Sequence, residues 1–221
     1  MGKEFYVVLL LSLCFVLLVS TGCQDSRRFA VSGKGGTLGF GGELTAGLAT
    51  DINARVGVNG LDFDFDDQEI EDVTYKVGVD LSSVSALVDW YIFDDPFHLT
   101  GGFINMNNKI NLDARPTNSV EIGDNTYTPA EIGTLTGKAE IDGLSPYLGI
   151  GWGNPMQSNR RWGFTMDLGV AFTDSPDVSL SATGMAAGLP EDIEIERRKI
   201  EDDLDFIRIY PVFSLGLFIR F

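Results

Sequence analysis

The sequence predicts an all-β chain that closes into an eight-stranded antiparallel transmembrane β-barrel, an up-and-down meander with long extracellular loops. Three observations carry that expectation. Apolar residues alternate with small or polar ones over runs about twice as long as an ordinary soluble strand. Past residue 22 no apolar run is long enough for a membrane helix, so a membrane crossing would have to be made by strands. The chain also ends on an aromatic residue that closes an amphipathic strand.

The first element is not part of the fold. Lys3 precedes Phe5 to Val19, an uncharged apolar run too short for a membrane helix of about 20 residues but suited to a signal-peptide core. Ser20-Thr21-Gly22 supplies small residues for cleavage before Cys23, which divides the chain into a signal peptide at 1–22 and a barrel at 23–221. A Cys directly after the cut resembles a bacterial lipoprotein box, with Ser20 standing where that box usually has Leu, and makes Cys23 a candidate lipidation site. The chain carries 32 acidic and 16 basic side chains, a net charge of −16, which argues against nucleic acid as a partner. Two cysteines exclude a disulfide scaffold, and 44% hydrophobic residues exclude disorder.

Turn residues separate the strands. Asp51-Ile52-Asn53, Asp94-Asp95-Pro96 and Asn154-Pro155-Met156 sit between alternating stretches and read as tight turns. They place strands near 37–49, 53–65, 73–92, 97–112, 134–152, 161–173 and 207–221. Short turns mark the periplasmic side, so a chain that starts in the periplasm needs one strand more. Arg28 to Ser32 is the candidate, turned by Gly33-Lys34-Gly35-Gly36. In the last strand Phe213, Leu215, Leu217, Ile219 and Phe221 form the apolar face, the pattern of a C-terminal insertion signal read by the outer-membrane assembly machinery. The remaining segments read as outer loops. Residues 62–72 are strongly acidic, 113–133 carry the turn signals of a protruding hairpin, and 174–206 is the longest. At the end of the last, Ile193, Ile200, Leu204 and Ile207 recur at helical spacing and predict a short extracellular helix.

If the apolar positions face lipid, Glu43, Arg55, Asp89, His98, Thr100, Tyr147, Asp167 and Arg220 face inward. A charge on the lipid face at mid-membrane costs about 2–4 kcal/mol for Arg or Lys, which favours the same assignment. An eight-stranded lumen is just wide enough for side chains to fill. The inner charges therefore read either as a plug of paired acids and arginines or as a narrow polar path. In the path, Glu43, Asp89 and Asp167 attract a cation, and the inner glycines Gly39, Gly41, Gly149 and Gly151 leave room for it. An enzyme is not expected, because His98 is the only histidine and lies beside a short turn, away from any nucleophile pattern. No cofactor or metal is expected either: Asp62, Asp64 and Asp66 alternate beside Asp67 without a Gly-containing calcium loop, and read as a solvated strand end. Trp90, Tyr91, Phe93, Phe97, Trp152 and Trp162 lie beside two of the short turns and fit an interfacial girdle.

Several segments together resemble one known family. GTLGFGGELTAGLATDINARVGVNG, SVEIGDNTYTPAEIG, GKAEIDGLSPYLGIGWGNP, SPDVSL and the terminal PVFSLGLFIRF look like the CarO-type outer-membrane proteins, small barrels linked to ornithine uptake, and the similarity spans most of the chain after the signal. The resemblance implies an eight-stranded barrel in the outer membrane of a Gram-negative bacterium, allowing passive or weakly selective passage of small solutes, basic amino acids among them. It carries no binding motif that transfers residue by residue. The rival expectation is a non-conducting structural or surface-interaction barrel that acts through the loops at 113–133 and 174–206. In both, the expected partners are outer-membrane lipid and lipopolysaccharide, with the barrel a monomer.

Overall fold

The computed structural model describes residues 29–70, 73–92, 96–156, 161–186, 188–204 and 208–221, with the backbone alone at 66–70 and 73–75. The expected signal peptide, Cys23, Arg28 and Phe93 lie outside the described residues. The strands are β1 (Phe29–Gly36), β2 (Gly39–Ala49), β3 (Ile52–Ile70), β4 (Val73–Tyr91), β5 (Phe97–Pro116), β6 (Val120–Ile122), β7 (Asn125–Tyr127), β8 (Leu135–Trp152), β9 (Trp162–Phe172), β10 (Asp177–Ala182) and β11 (Ile209–Arg220). Among the described residues two helices, α1 (Pro129–Ile132) and α2 (Leu189–Leu204), belong to the connections.

Every pairing is antiparallel. The order β8-β5-β4-β3-β2-β1-β11-β9, closed by the pairing of β8 with β9, is a ring of eight strands. Closure comes where the sequence reading was thinnest. Ala30 pairs with Arg220 and Gly36 with Ser214, so the first strand locks onto the last. Gly33 to Gly36 belong to that strand rather than to a turn, which falls at Thr37-Leu38. The glycines serve close approach instead: a Cβ on Gly36 would run into the Phe213 carbonyl of β11. The ring itself leaves no unpaired edge, whereas above it Leu61–Ile70 of β3 pair only with β4 and β10 pairs only with β8.

The period of two sets both surfaces. On β11 the outward residues Phe213, Leu215, Leu217 and Ile219 are 40–57% exposed, and on β9 Trp162, Phe164, Met166, Leu168 and Phe172 are 43–68% exposed. Such a continuous apolar exterior is far larger than a soluble monomer tolerates. The 11 residues of β9 measure roughly 36 Å, and at a tilt of about 40° they rise roughly 28 Å, close to the ~25 Å apolar band of membrane barrels.

The ring is uneven in height. β1, β2, β9 and β11 have 8 to 12 residues, whereas β3, β4, β5 and β8 have 18 to 20. The long strands rise as a wall beyond the lumen, and β10 extends it by pairing with the first half of β8. The strand expected at 53–65 therefore continues to Ile70, through residues 66–70 expected only as acidic loop. Along this wall the alternation keeps its period but reverses its polarity. On β5 the outward residues change from Leu99 and Phe103 to Asn107, Lys109 and Asp113, while inward His98 and Thr100 give way to Ile110 and Leu112. Phe63 pairs with Val79, and Val79 with Ile110, so one apolar row crosses three strands on the inner face.

A small cap joins the tips. The hairpin β6–β7, α1 and α2 bury Ile122, Tyr127, Ile132 and Leu189 together. α1 starts at Thr128, whose backbone N–H and hydroxyl both bond Glu131 Oε2, at 2.8 and 2.7 Å. The expected hairpin in 113–133 and the helix at the end of 174–206 are both present, and the helix begins at Leu189.

Candidate functional site

The lumen is built from three layers. At mid-height Arg55 of β3 extends inward and meets carboxylates from three other strands. Its Nε lies 2.9 Å from Asp89 Oδ2, and its Nη1 lies 3.3 Å from Glu43 Oε1 and 3.0 Å from Asp167 Oδ2. Nη2 donates to Thr100 Oγ1 at 3.3 Å, and that hydroxyl donates onward to Asp89 Oδ1 at 2.8 Å. Lys34 of β1, two strands from Arg55 around the ring, has Nζ 3.1 Å from Glu43 Oε2 and 2.8 Å from Asp167 Oδ2. His98 Nε2 faces Asp167 Oδ1 at 3.5 Å, and its Nδ1 faces the Pro96 carbonyl at 3.3 Å. The side chains of Arg55, Glu43, Asp89, His98 and Asp167 are each at most 4% exposed. A guanidinium carries donors in a fixed planar fork, which is why one residue can hold three acids at once.

Two further layers close the ends. Toward the wall, Leu38, Leu87, Ile104, Met106, Tyr147 and Val212 pack into an apolar core across the lumen. Between this layer and the ion pairs lies a cavity of about 30 Å³, reached by Lys34, Glu43, Tyr147 and Asp167 and large enough for about one or two waters. At the short-turn end, Asn53 Nδ2 donates to Tyr91 Oη at 3.2 Å and to Asn154 Oδ1 at 3.4 Å, and Tyr91 Oη donates to the Gly153 carbonyl at 3.2 Å.

The sequence reading placed Glu43, Arg55, Asp89, His98, Tyr147 and Asp167 on one inner surface. The structure brings the five ionisable groups together and sets Tyr147 in the apolar layer. Arg220 stays apart, with Nη1 donating to the Met156 carbonyl at 3.2 Å near the short-turn end. Tyr91, expected in an outward girdle, points inward and is 3% exposed, because the odd positions of β4 that carry Asp89 inward carry Tyr91 with it. Trp90, Trp152 and Trp162 do face outward. Lys34 was missed because the glycines around it read as a turn; its even spacing from Ala30 and Ser32 was the available signal.

Two of the glycines expected to leave room, Gly149 and Gly151, face large rings instead. A Cβ on Gly149 or Gly169 would run into the Tyr147 hydroxyl, and one on Gly151 into His98 Nε2, so the missing side chains are replaced by those two rings. Gly149→Val and Gly151→Val are each expected to cost about 1–3 kcal/mol by overpacking, read as a lowered urea midpoint for the folded barrel.

The cap has its own polar centre. Tyr127 Oη donates to Asp192 Oδ2 at 2.5 Å and Asn125 Nδ2 donates to the same oxygen at 2.8 Å. These bonds hold the Asp192 carboxyl below its ordinary value, and the same bond to Asp192 pushes the Tyr127 hydroxyl up to about 12. A carboxylate lowered in this way stabilises the folded state above its ordinary pKa, and that contribution is lost as pH falls through the lowered one. Acidification below about pH 4 is therefore expected to loosen the cap while the barrel persists, seen as new protease cuts within 117–134 and 183–204; Asp192→Asn should produce the same cuts at neutral pH.

No protein-family profile matches the chain, and no curated protein matches it significantly in sequence. Solved structures do match. The crystal structure of Acinetobacter baumannii CarO aligns at 22% identity and a TM-score of 0.62, over 86% of this chain and 96% of that one. Acinetobacter baumannii CarO2 aligns at 22% identity and a TM-score of 0.64, over 89% of this chain and the whole of the other. The chain has the CarO barrel fold.

Proposed function

We propose that the protein is an outer-membrane barrel of a Gram-negative bacterium whose lumen does not conduct, and that it acts through the wall and cap beyond the membrane. The apolar exterior supports the membrane placement, and the short turns after β2, β4 and β8 put those ends in the periplasm with the wall and cap outside. The closed ring supports a monomer, and the outward apolar face of β11 supports recognition by the assembly machinery. The observation that carries the closed lumen is the set of ion pairs on Arg55, roofed by the Ile104 and Tyr147 layer. The three carboxylates that would draw a cation inward already hold Lys34 and Arg55. His98, enclosed against Tyr91 with ring centroids 4.8 Å apart, is read as a structural member rather than as an acid or base.

Release of radiolabelled lysine, ornithine, glycine and glutamate from proteoliposomes tests this reading. Leakage no faster than from protein-free liposomes is expected for all four. Release of the basic amino acids, slowed by Glu43→Gln, Asp89→Asn or Asp167→Asn, would establish solute passage instead.

A further inference from the structure

The inner face of the tall wall presents an apolar surface to solvent. Phe63 and Phe65 of β3, Val77 and Val79 of β4, and Ile110 and Leu112 of β5 are neighbours across the strands. Phe63, Phe65, Ile110 and Leu112 remain 37–49% exposed, and the two phenyl rings lie 4.4 Å apart. The cap core closes on itself and α2 packs on β10, while α1 touches β5. An exposed apolar surface rimmed by polar groups marks a site of interaction.

The base of this face is polar and has a donor to spare. Asn59 Nδ2 donates to Ser83 Oγ at 3.2 Å, and one row above them Asn108 Oδ1 accepts the Ser82 N–H at 3.3 Å. Asn108 is 5% exposed, and its Nδ2 has no hydrogen-bond partner among the described residues. A buried amide N–H without an acceptor is costly to keep, so the position suits a ligand that brings one. The charge around it selects the ligand further. On the outer face of the same wall Lys109 and Lys138 share Glu140, and Asp62, Asp64, Asp80, Asp113 and Asp142 outnumber the remaining Lys76 and Arg115 in a chain of net charge −16.

We propose that the wall binds a single-chain uncharged amphiphile. Its hydrocarbon chain lies along Phe63, Phe65, Ile110 and Leu112, and its carbonyl accepts from Asn108 Nδ2 in the mouth of the closed lumen. This rests on the reading of the wall as lying outside the membrane.

Photolabelling of the barrel in lipid nanodiscs by a diazirine-bearing monoacylglycerol, mapped by mass spectrometry, tests the site. Saturable labelling of the segments holding Phe63, Phe65, Ile110 and Leu112 is expected. Phe63→Ser with Phe65→Ser alters exposed positions and should leave the fold intact while weakening saturation about tenfold; Asn108→Leu should weaken it by a similar factor. The corresponding anionic fatty acid should compete less well than the neutral ester. Labelling that rises in proportion to probe without saturating would mean bulk lipid covers the face, and cross-links between two copies would mean a second barrel does. Either result, or saturation unchanged in the variants, overturns the proposal. Conductance measured on the same nanodisc-purified protein keeps the two readings separate: a silent barrel that binds nothing sinks only the amphiphile site, and a conducting barrel sinks only the closed lumen.

Discussion

Arg55→Ala is expected to destabilise the barrel by about 3–5 kcal/mol, the range found when one partner of a buried ion pair is removed and the other charge is left behind. Here one guanidinium holds Glu43, Asp89 and Asp167, all within 3.3 Å of it, and Lys34 reaches only the first and the last of these. Asp89 would keep only Thr100 and the more distant His98, whose Nε2 lies 3.8 Å away. Urea unfolding of the refolded variant measures the loss. A second substitution identifies its cause: Asp89→Asn in the Arg55→Ala background should restore part of the stability, because a neutral amide needs no cation, whereas Asp89→Asn alone should be destabilising. Simple additivity of the two would show that Arg55 contributes by packing and not by charge.

Leu217→Arg is expected to cost about 1–3 kcal/mol, because Leu217 lies within the apolar band of the barrel exterior, where the penalty for a cation rises from about 0–1 kcal/mol near the interface to about 2–4 kcal/mol at the midplane. Leu217 sits on the outward face of β11, between Phe164 of β9 and Gly33 of β1, and is 56% exposed when no lipid is present. The same change at Ile209, the first residue of β11 and at the rim, should cost only about 0–1 kcal/mol despite an equal exposure. A depth-dependent penalty is the signature of lipid on that face. In a water-soluble sandwich both arginines would be neutral or would improve solubility.

Most of the barrel was legible because one period of two ran through every long strand. Glu43, Arg55, Asp89, His98 and Asp167 could be placed on one inner surface by counting from apolar neighbours such as Leu44, Val56 and Leu168. Counting gives a side, however, and not a height. It could not separate Tyr147, which roofs the lumen, or Arg220, which lies near its other end, from the ion pairs at mid-height. Register decides height, and register depends on hydrogen bonds between distant strands, such as Gly36 with Ser214. Glycine misled in two ways. The run at 33–36 read as a turn when it is a strand that lets β11 approach, and Gly149 and Gly151 read as open space when Tyr147 and His98 fill it. The reversal of polarity at Ile110 and Leu112 left the period unchanged, so only the structure separates the part of β5 beside lipid from the part above it.

Single-channel recording of the refolded protein in a planar bilayer tests the stopped lumen most directly. A flat baseline is expected across applied voltages and in the presence of lysine or ornithine, because the ion pairs on Arg55 and the Ile104–Tyr147 layer lie across the lumen. Discrete cation-preferring steps from a barrel that runs as folded on unheated gels would contradict it.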